Sequence, residues 1–304
     1  MKLLTLRGRA AVLNTQGQAV LLQDLGFAGD LLALIRAGPR ALHDLQTKLD
    51  GGPPGQTFGP GDLNAPLQRP PKIVAIGLNY RAHAAEAGAA LPGSPLVFTK
   101  FPSALTGPAS PVLSHHHLTS QLDYEVELAV VMGRRARHVS ADRALEYVFG
   151  YTVANDLSAR DLQFADGQWV RAKSLDTSCP LGPSIVTADE LPDPGTLRLG
   201  CSVNGLTVQD DTTANLIFSV PELIAQLSAS FTLEPGDLIL TGTPEGVGFG
   251  RTPPLYLKAG DQVRCWVGGI GELNNAVVDE LDGTEPDGSN SLDGAHLDSM
   301  EVSA

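Results

Sequence analysis

The stretch from Asp123 to Gln163, DYEVELAVVMGRRARHVSADRALEYVFGYTVANDLSARDLQ, decides the reading of this chain. It opens with Glu125 and Glu127, two apart in a run of strand-forming residues. Strand side chains alternate faces, so both carboxylates project from one face while Tyr124, Val126, Leu128 and Val130 take the other. A second apolar run, YVFGYTVAND, ends at Asp156. Gathering three carboxylates near strand ends is costly unless a cation compensates them. The set offers only hard oxygen ligands, which favours Mg²⁺, Mn²⁺ or Ca²⁺ over zinc. Taken alone, Glu-x-Glu reads as ordinary surface acids on a strand edge. The residues after Asp156 alter that.

NDLSARDLQ (155–163) reads as a strand end followed by a helix, with Ser158 or Asn155 as N-cap. Arg160 and Gln163 are three apart and share a helical face, where a guanidinium beside an amide suits a two-point grip on a carboxylate. With AKSLDTSCPLGP (172–183), LEPGDLILTGTPEGVG (233–248) and IGLNYRAHAAE (76–86), these blocks resemble the fumarylacetoacetate hydrolase superfamily, in order from about Lys72 to Val278.

The resemblance implies an α+β protein in which a β-dominated mixed sheet curls into a barrel-like roll, preceded by a small N-terminal domain. It implies a divalent cation, Mg²⁺ first, on Glu125, Glu127 and Asp156, with Lys173 beside metal and substrate to stabilise a developing oxyanion. Arg160, Gln163 and Thr243 would fix the carboxylate of a small anionic 2-oxo acid. His83 and Glu86, three apart in RAHAAEAG, read in isolation as a surface pair; the resemblance places them on a lid, with Glu86 orienting His83 as a general base. A homodimer is implied as well.

Such a site makes an enolate a better leaving group. Water delivered by His83 to a distal carbonyl gives hydrolysis of an acylpyruvate-type 2,4-dioxo acid, and the His83–Glu86 pair favours this outcome. Loss of CO₂ instead gives an oxaloacetate-type decarboxylase, and proton movement alone gives isomerisation of a 2-hydroxyhepta-2,4-diene-1,7-dioate. A binding protein that holds a dicarboxylate without turnover is the reading of another class, and retention of the whole residue set argues against it.

Composition sets the outer bounds. Hydrophobic content of 42% fits a sizeable core, while 33 Gly and 22 Pro suit a turn-rich β fold better than a helical bundle. A formal net charge of −13 argues against nucleic acid and anionic membranes as partners. Three scattered cysteines, Cys179, Cys201 and Cys265, fit a reducing, cytoplasmic setting, and the Arg7 and Arg9 breaks make a poor signal peptide.

Along the chain, residues 1–49 read as a small β-rich N-terminal domain with helices near 28–36 and 41–49. Residues 50–71, dense in Gly and Pro, read as an extended linker, and 72–280 as the catalytic domain. Residues 281–304 hold six acids and neither Lys nor Arg, the composition of a disordered tail. Ser140 to Phe149 reads as a helix, and Asn204-Gly205 as a hairpin turn. The Gly-rich PEGVGFG suits close approach to an anion, with Thr243 as hydroxyl donor. Lys100 and Ser103 fit either the pocket mouth or a solvated strand end. Cys179 reads as a buried structural thiol. Adjacent side chains diverge, so His115, His116 and His117 read as a surface loop and not as three ligands of one metal.

Overall fold

The computed structural model describes residues 1–280; the acidic stretch 281–304 lies outside the described residues. An eleven-stranded mixed sheet is built around Val126–Met132, whose seven residues are all buried. This strand pairs antiparallel with Val148–Asn155 on one side (Val126 opposite Asn155) and with Leu238–Leu240 on the other (Ala129 opposite Leu240). Outward from Leu238–Leu240 come Ile73–Gly77, in parallel, and the antiparallel edge strand Leu96–Thr99. Outward from Val148–Asn155 come Cys179–Thr187, Lys2–Leu6, Arg9–Leu13 and Ala19–Leu21. A second, five-stranded sheet orders Leu206–Thr212, Arg198–Val203, Gln262–Val267, Gly271–Val278 and the short Val112–Leu113. Together they make a mixed α+β fold of open sheets.

Alternation along the central strand sorts its residues between two cores. Tyr124, Val126, Leu128, Val130 and Met132 pack with Leu199, Cys201, Val263, Cys265 and Leu273, filling the space between the sheets. Ala129 and Val131 face the other way and pack with Leu3, Leu31, Leu34, Ile35 and Ile185. Residues 1–49, expected as a small N-terminal domain, contribute three strands to the large sheet and the helices Leu31–Ala37 and Pro39–Asp50 to its cover. The physical reason is the edge of Cys179–Thr187, whose free backbone groups are satisfied by Lys2–Leu6. Within the expected linker, Leu63, Ala65 and Leu67 are buried as well.

Two local expectations are corrected. The helix expected over Ser140–Phe149 is a 3-10 helix confined to Ala141–Tyr147, because Val148 and Phe149 already belong to the next strand. Neither Ser158 nor Asn155 caps the following helix. Ala159 occupies the N-cap of Arg160–Asp166 without a side-chain bond, because Ser158 Oγ donates to the Asp156 carbonyl and Asn155 Oδ1 accepts from Glu125 N. The hairpin turn stands as read, with Asn204 (φ 51°) and Gly205 (φ 80°) both left-handed.

The shared core makes a measurable claim. Both tryptophans, Trp169 and Trp266, lie beyond residue 72, so their fluorescence reports on the later part of the chain. Leu3→Ala is expected to cost about 2–5 kcal/mol and to move the tryptophan-detected urea transition by that amount. An unmoved transition would mean that the N-terminal strands fold apart from the rest.

Candidate active site

Glu125, Glu127 and Asp156 arrive from two antiparallel neighbours. Glu127 lies in the central strand, Glu125 just before it, and Asp156 just after Val148–Asn155. Asp156 N donates to the Glu125 carbonyl at 2.8 Å and Glu125 N to Asn155 Oδ1 at 2.9 Å, locking the two strand ends together. One ligand atom from each of the three acids falls within 4.8 Å of the others, and all three residues are buried. Asp123, four before Glu127, is buried beside them and ion-paired to Arg160.

The cations that answer this charge are internal. Lys173 Nζ sits 2.7 Å from Glu125 Oε2 and 2.8 Å from Asp156 Oδ2. Lys100 Nζ lies 2.8 Å from Asp156 Oδ1 and also donates to the Lys173 carbonyl. Arg160 spends Nε on Asp123 (2.8 Å), Nη1 on Gln163 Oε1 (2.9 Å) and Nη2 on Glu125 (2.6 Å). Two of its five N–H groups remain for other partners. Ser103, by contrast, is exposed and away from the cavity.

Glu127 has no ion-pair partner among the described residues; it accepts only Gly242 N–H, at 2.7 Å. Burial, together with the charges of Asp156 and Glu125, pushes its carboxyl well above the usual range. Burial acts on Glu125 in the same direction, but Lys173 and Arg160 outweigh it and hold that group at about 2. For Lys173 burial works to lower the pKa, and Asp156 and Glu125 overcome it to raise the value. The donor set therefore fits a hard divalent cation: three oxygen ligands, one of them a carboxyl whose ionised form has no ion-pair partner among the described residues.

Across the cavity stands His83, on the short helix Arg81–Glu86. Its Nδ1 is 3.0 Å from Glu86 Oε2, which leaves Nε2 for the interior. Glu86 Oε1 in turn accepts Gly246 N at 2.9 Å. The Gly-rich loop does approach anions, and they are the protein's own carboxylates. Gly242 N is bound by Glu127, Gly246 N by Glu86, and Gly248 N and Phe249 N by Asp123 at 2.6 and 3.1 Å. Gly246 (φ 99°) permits this path, since a Cβ there would meet the Val208 carbonyl.

Thr243 lines the cavity, but its hydroxyl donates to the Val126 carbonyl at 3.0 Å and accepts from Gln209 Nε2 at 2.8 Å. As placed, that proton is committed to the backbone and not to a ligand. The cavity, about 200 Å³, is walled by Phe98, Phe164, Trp169 and Phe249 besides the charged groups. Phe249 stacks 4.7 Å from the Arg160 guanidinium, and Phe98 lies 5.0 Å from Lys173 Nζ. Cys179 is buried with its thiol pushed up to about 12 by desolvation, and it is not a cavity residue.

Sequence reasoning missed Asp123 and left Lys100 undecided. Asp123, Glu125 and Glu127 share a period-two spacing, which was the available signal for the first. For Lys100 none existed, because its role depends on the crossing of two distant segments. Gln209 and the aromatic wall were likewise invisible before folding.

Glu127→Gln tests the charge argument without activity. Replacing a buried carboxyl that resists ionisation with an amide of the same shape, which keeps its acceptor oxygen, should leave metal-free stability unchanged or raise it by up to about 2 kcal/mol. Wild type should gain about 2.7 kcal/mol at a hundredfold excess of Mg²⁺ over its Kd, and the variant should gain none. A clear loss of metal-free stability in the variant would overturn the assignment.

Comparison with known proteins identifies the family. The fumarylacetoacetate hydrolase C-terminal domain matches residues 72–278. The chain is 48% identical over 218 residues to the oxaloacetate tautomerase YisK of Bacillus subtilis, covering 71% of this chain and 72% of that protein. It superimposes on a fumarylacetoacetate hydrolase from Exiguobacterium antarcticum with a TM-score of 0.82 and 38% identity, over 92% of this chain and 100% of the other. It also superimposes on maleylpyruvate hydrolase from Sphingobium, solved with manganese(II) and pyruvate, with a TM-score of 0.76 and 32% identity over 92% and 100% of the two chains. The chain belongs to the fumarylacetoacetate hydrolase family.

Proposed function

We propose that this chain is a metal-dependent tautomerase of oxaloacetate, moving a proton between the enol oxygen and C3 of a four-carbon 2-oxo diacid. The observation that carries the reading is one small cavity with three convergent carboxylates on one wall and the His83–Glu86 dyad on another. Likeness to an oxaloacetate tautomerase over 71% of the chain supports the substrate.

In this reading Glu125, Glu127 and Asp156 hold a divalent ion, Mg²⁺ or Mn²⁺, which when bound stabilises negative charge on the enol oxygen. Lys173, an ammonium at the metal wall, donates to that oxygen as its proton leaves. Through Nε2, left free because Glu86 occupies Nδ1 and fixes the ring, His83 takes the proton that leaves the enol oxygen and returns it to C3. Gln163 has its carbonyl oxygen taken by Arg160, so its amide N–H₂ is turned toward a substrate carboxylate, beside the two free guanidinium N–H groups. Phe98, Trp169 and Phe249 keep bulk water from the enol.

Hydrolysis of an acylpyruvate-type 2,4-dioxo acid is the second reading. It is supported by the same dyad, which can deliver water as well as a proton, and by the maleylpyruvate hydrolase likeness. Decarboxylation has no comparable support from a residue. The proposal places the enzyme in the cytoplasm as a homodimer. Leu96 and Val97 on the edge strand, with Phe101 beside them, form an exposed apolar rim suited to a second copy. No helix among the described residues is long and apolar enough to cross a membrane.

The test follows the decay of enol-oxaloacetate absorbance in Mg²⁺ buffer, with CO₂ release and acetylpyruvate cleavage measured alongside. Catalysed ketonisation without CO₂ release is expected, and His83→Ala should slow it roughly a hundred- to ten-thousand-fold. Glu86→Gln should fall between the two. Acetylpyruvate cleavage faster than ketonisation would transfer the assignment to the second reading.

A further inference from the structure

Of the three buried cations Lys100, Lys173 and Arg160, only Lys100 has no part in the proposed reaction. Its side chain is fully enclosed, and it is not a lining residue of the cavity. It follows the edge strand Leu96–Thr99, whose pairing with Ile73–Gly77 places it behind the metal wall. An ammonium has three N–H groups. Those of Lys100 meet three acceptors: the Lys173 carbonyl, the Leu157 carbonyl at 3.2 Å and Ser178 Oγ at 3.3 Å. Ser178 Oγ donates in turn to the Lys173 carbonyl at 3.1 Å.

The charge of Lys100 falls on Asp156. Its Nζ is 2.8 Å from Asp156 Oδ1, and that oxygen accepts no hydrogen bond, whereas Oδ2 accepts from Lys173 Nζ at 2.8 Å. The oxygen left open to an incoming ion is thus the one beside a fixed positive charge. Four buried carboxyl groups, Asp123, Glu125, Glu127 and Asp156, meet the three cations here. With all four ionised the balance is one positive charge short, and a divalent ion turns that deficit into an excess of one. The excess suits an anionic substrate, and it vanishes when Lys100 is replaced by a neutral residue. Burial keeps solvent from screening it.

We propose, resting on the metal-dependent reading above, that Lys100 is a positioning residue that sets the charge of the metal-loaded cavity. Acting through Asp156, it weakens the hold on the divalent ion and strengthens the hold on an anionic 2-oxo acid. None of its N–H groups is free for a substrate. A purely structural Lys100 would act otherwise: its removal would loosen Asp156 and the Lys173 backbone, and both ligands would bind less well. A charge-setting Lys100 moves the two affinities in opposite directions. In a chain whose formal net charge is −13, the overall field repels an anionic substrate, so local positive charge has to draw it in.

The experiment titrates Mg²⁺ by calorimetry into chelator-stripped full-length protein, then pyruvate, as a 2-oxo acid probe, into the same protein at saturating Mg²⁺. Lys100→Gln keeps N–H donors for the Leu157 and Lys173 carbonyls and removes the charge. It should bind Mg²⁺ about tenfold more tightly and pyruvate about tenfold more weakly than wild type, and Lys100→Met should shift both the same way. Lys100→Arg, which keeps the charge, should stay near wild type in both. The tryptophan-detected urea transition shows which variants are folded. Weaker binding of both ligands to a folded neutral variant, or affinities equal to wild type, would overturn the proposal. Loss of the fold in both neutral variants would overturn it too, by reducing Lys100 to a residue of stability. Wild type that takes up no Mg²⁺ would overturn the metal-dependent reading itself, and this proposal with it.

Discussion

Burying Glu127 beside Glu125 and Asp156 is the constraint around which the rest of the molecule is arranged. A carboxylate in a protein interior is tolerated only when something answers its charge. Lys173, Lys100 and Arg160 answer the other three buried acids at 2.6–2.8 Å, and Glu127 receives a single backbone N–H. The imbalance creates a place for a cation. It also explains why long-stemmed basic residues from three separate segments are drawn inside, where their hydrocarbon would otherwise have no reason to lie beside strand ends.

The same carboxylates organise the backbone that closes the cavity. Residues 242–249 carry no regular pairing of their own over most of their length, and their N–H groups are distributed over Glu127, Glu86 and Asp123. Glu86 thereby serves two masters, orienting His83 with one oxygen and holding Gly246 with the other. The dyad's helix and the loop opposite it are therefore coupled: moving one releases a hydrogen bond of the other.

Support for the site comes from unexpected quarters. The N-terminal strands and helices cover Ala129 and Val131, which lie on the Glu127 face of the central strand. The opposite face is covered by the second sheet. Glu127 is thus fixed by packing on both sides of its strand, and its position does not depend on the loops around it.

Much of this was legible in the residues. Period-two spacing put Glu125 and Glu127 on one face and the Tyr124–Val130 series on the other, because strand geometry is local and needs no partner to be read. The i, i+3 relations of Arg160 with Gln163 and of His83 with Glu86 were equally local, and both pairs are bonded. Other features were beyond reach. That Lys100 would meet Asp156, that Gln209 would take the Thr243 oxygen, and that residues 1–49 would complete the large sheet all depend on segments brought together only when the sheets assemble. Ser158 and Asn155 had the chemistry of helix caps, but the folded chain gave their side chains other partners. Sequence by itself determined which side chains share a face, since that follows from backbone periodicity. Tertiary structure decided which charges neutralise one another, since electrostatic balance in a low-dielectric interior is set by distances between residues far apart in the chain.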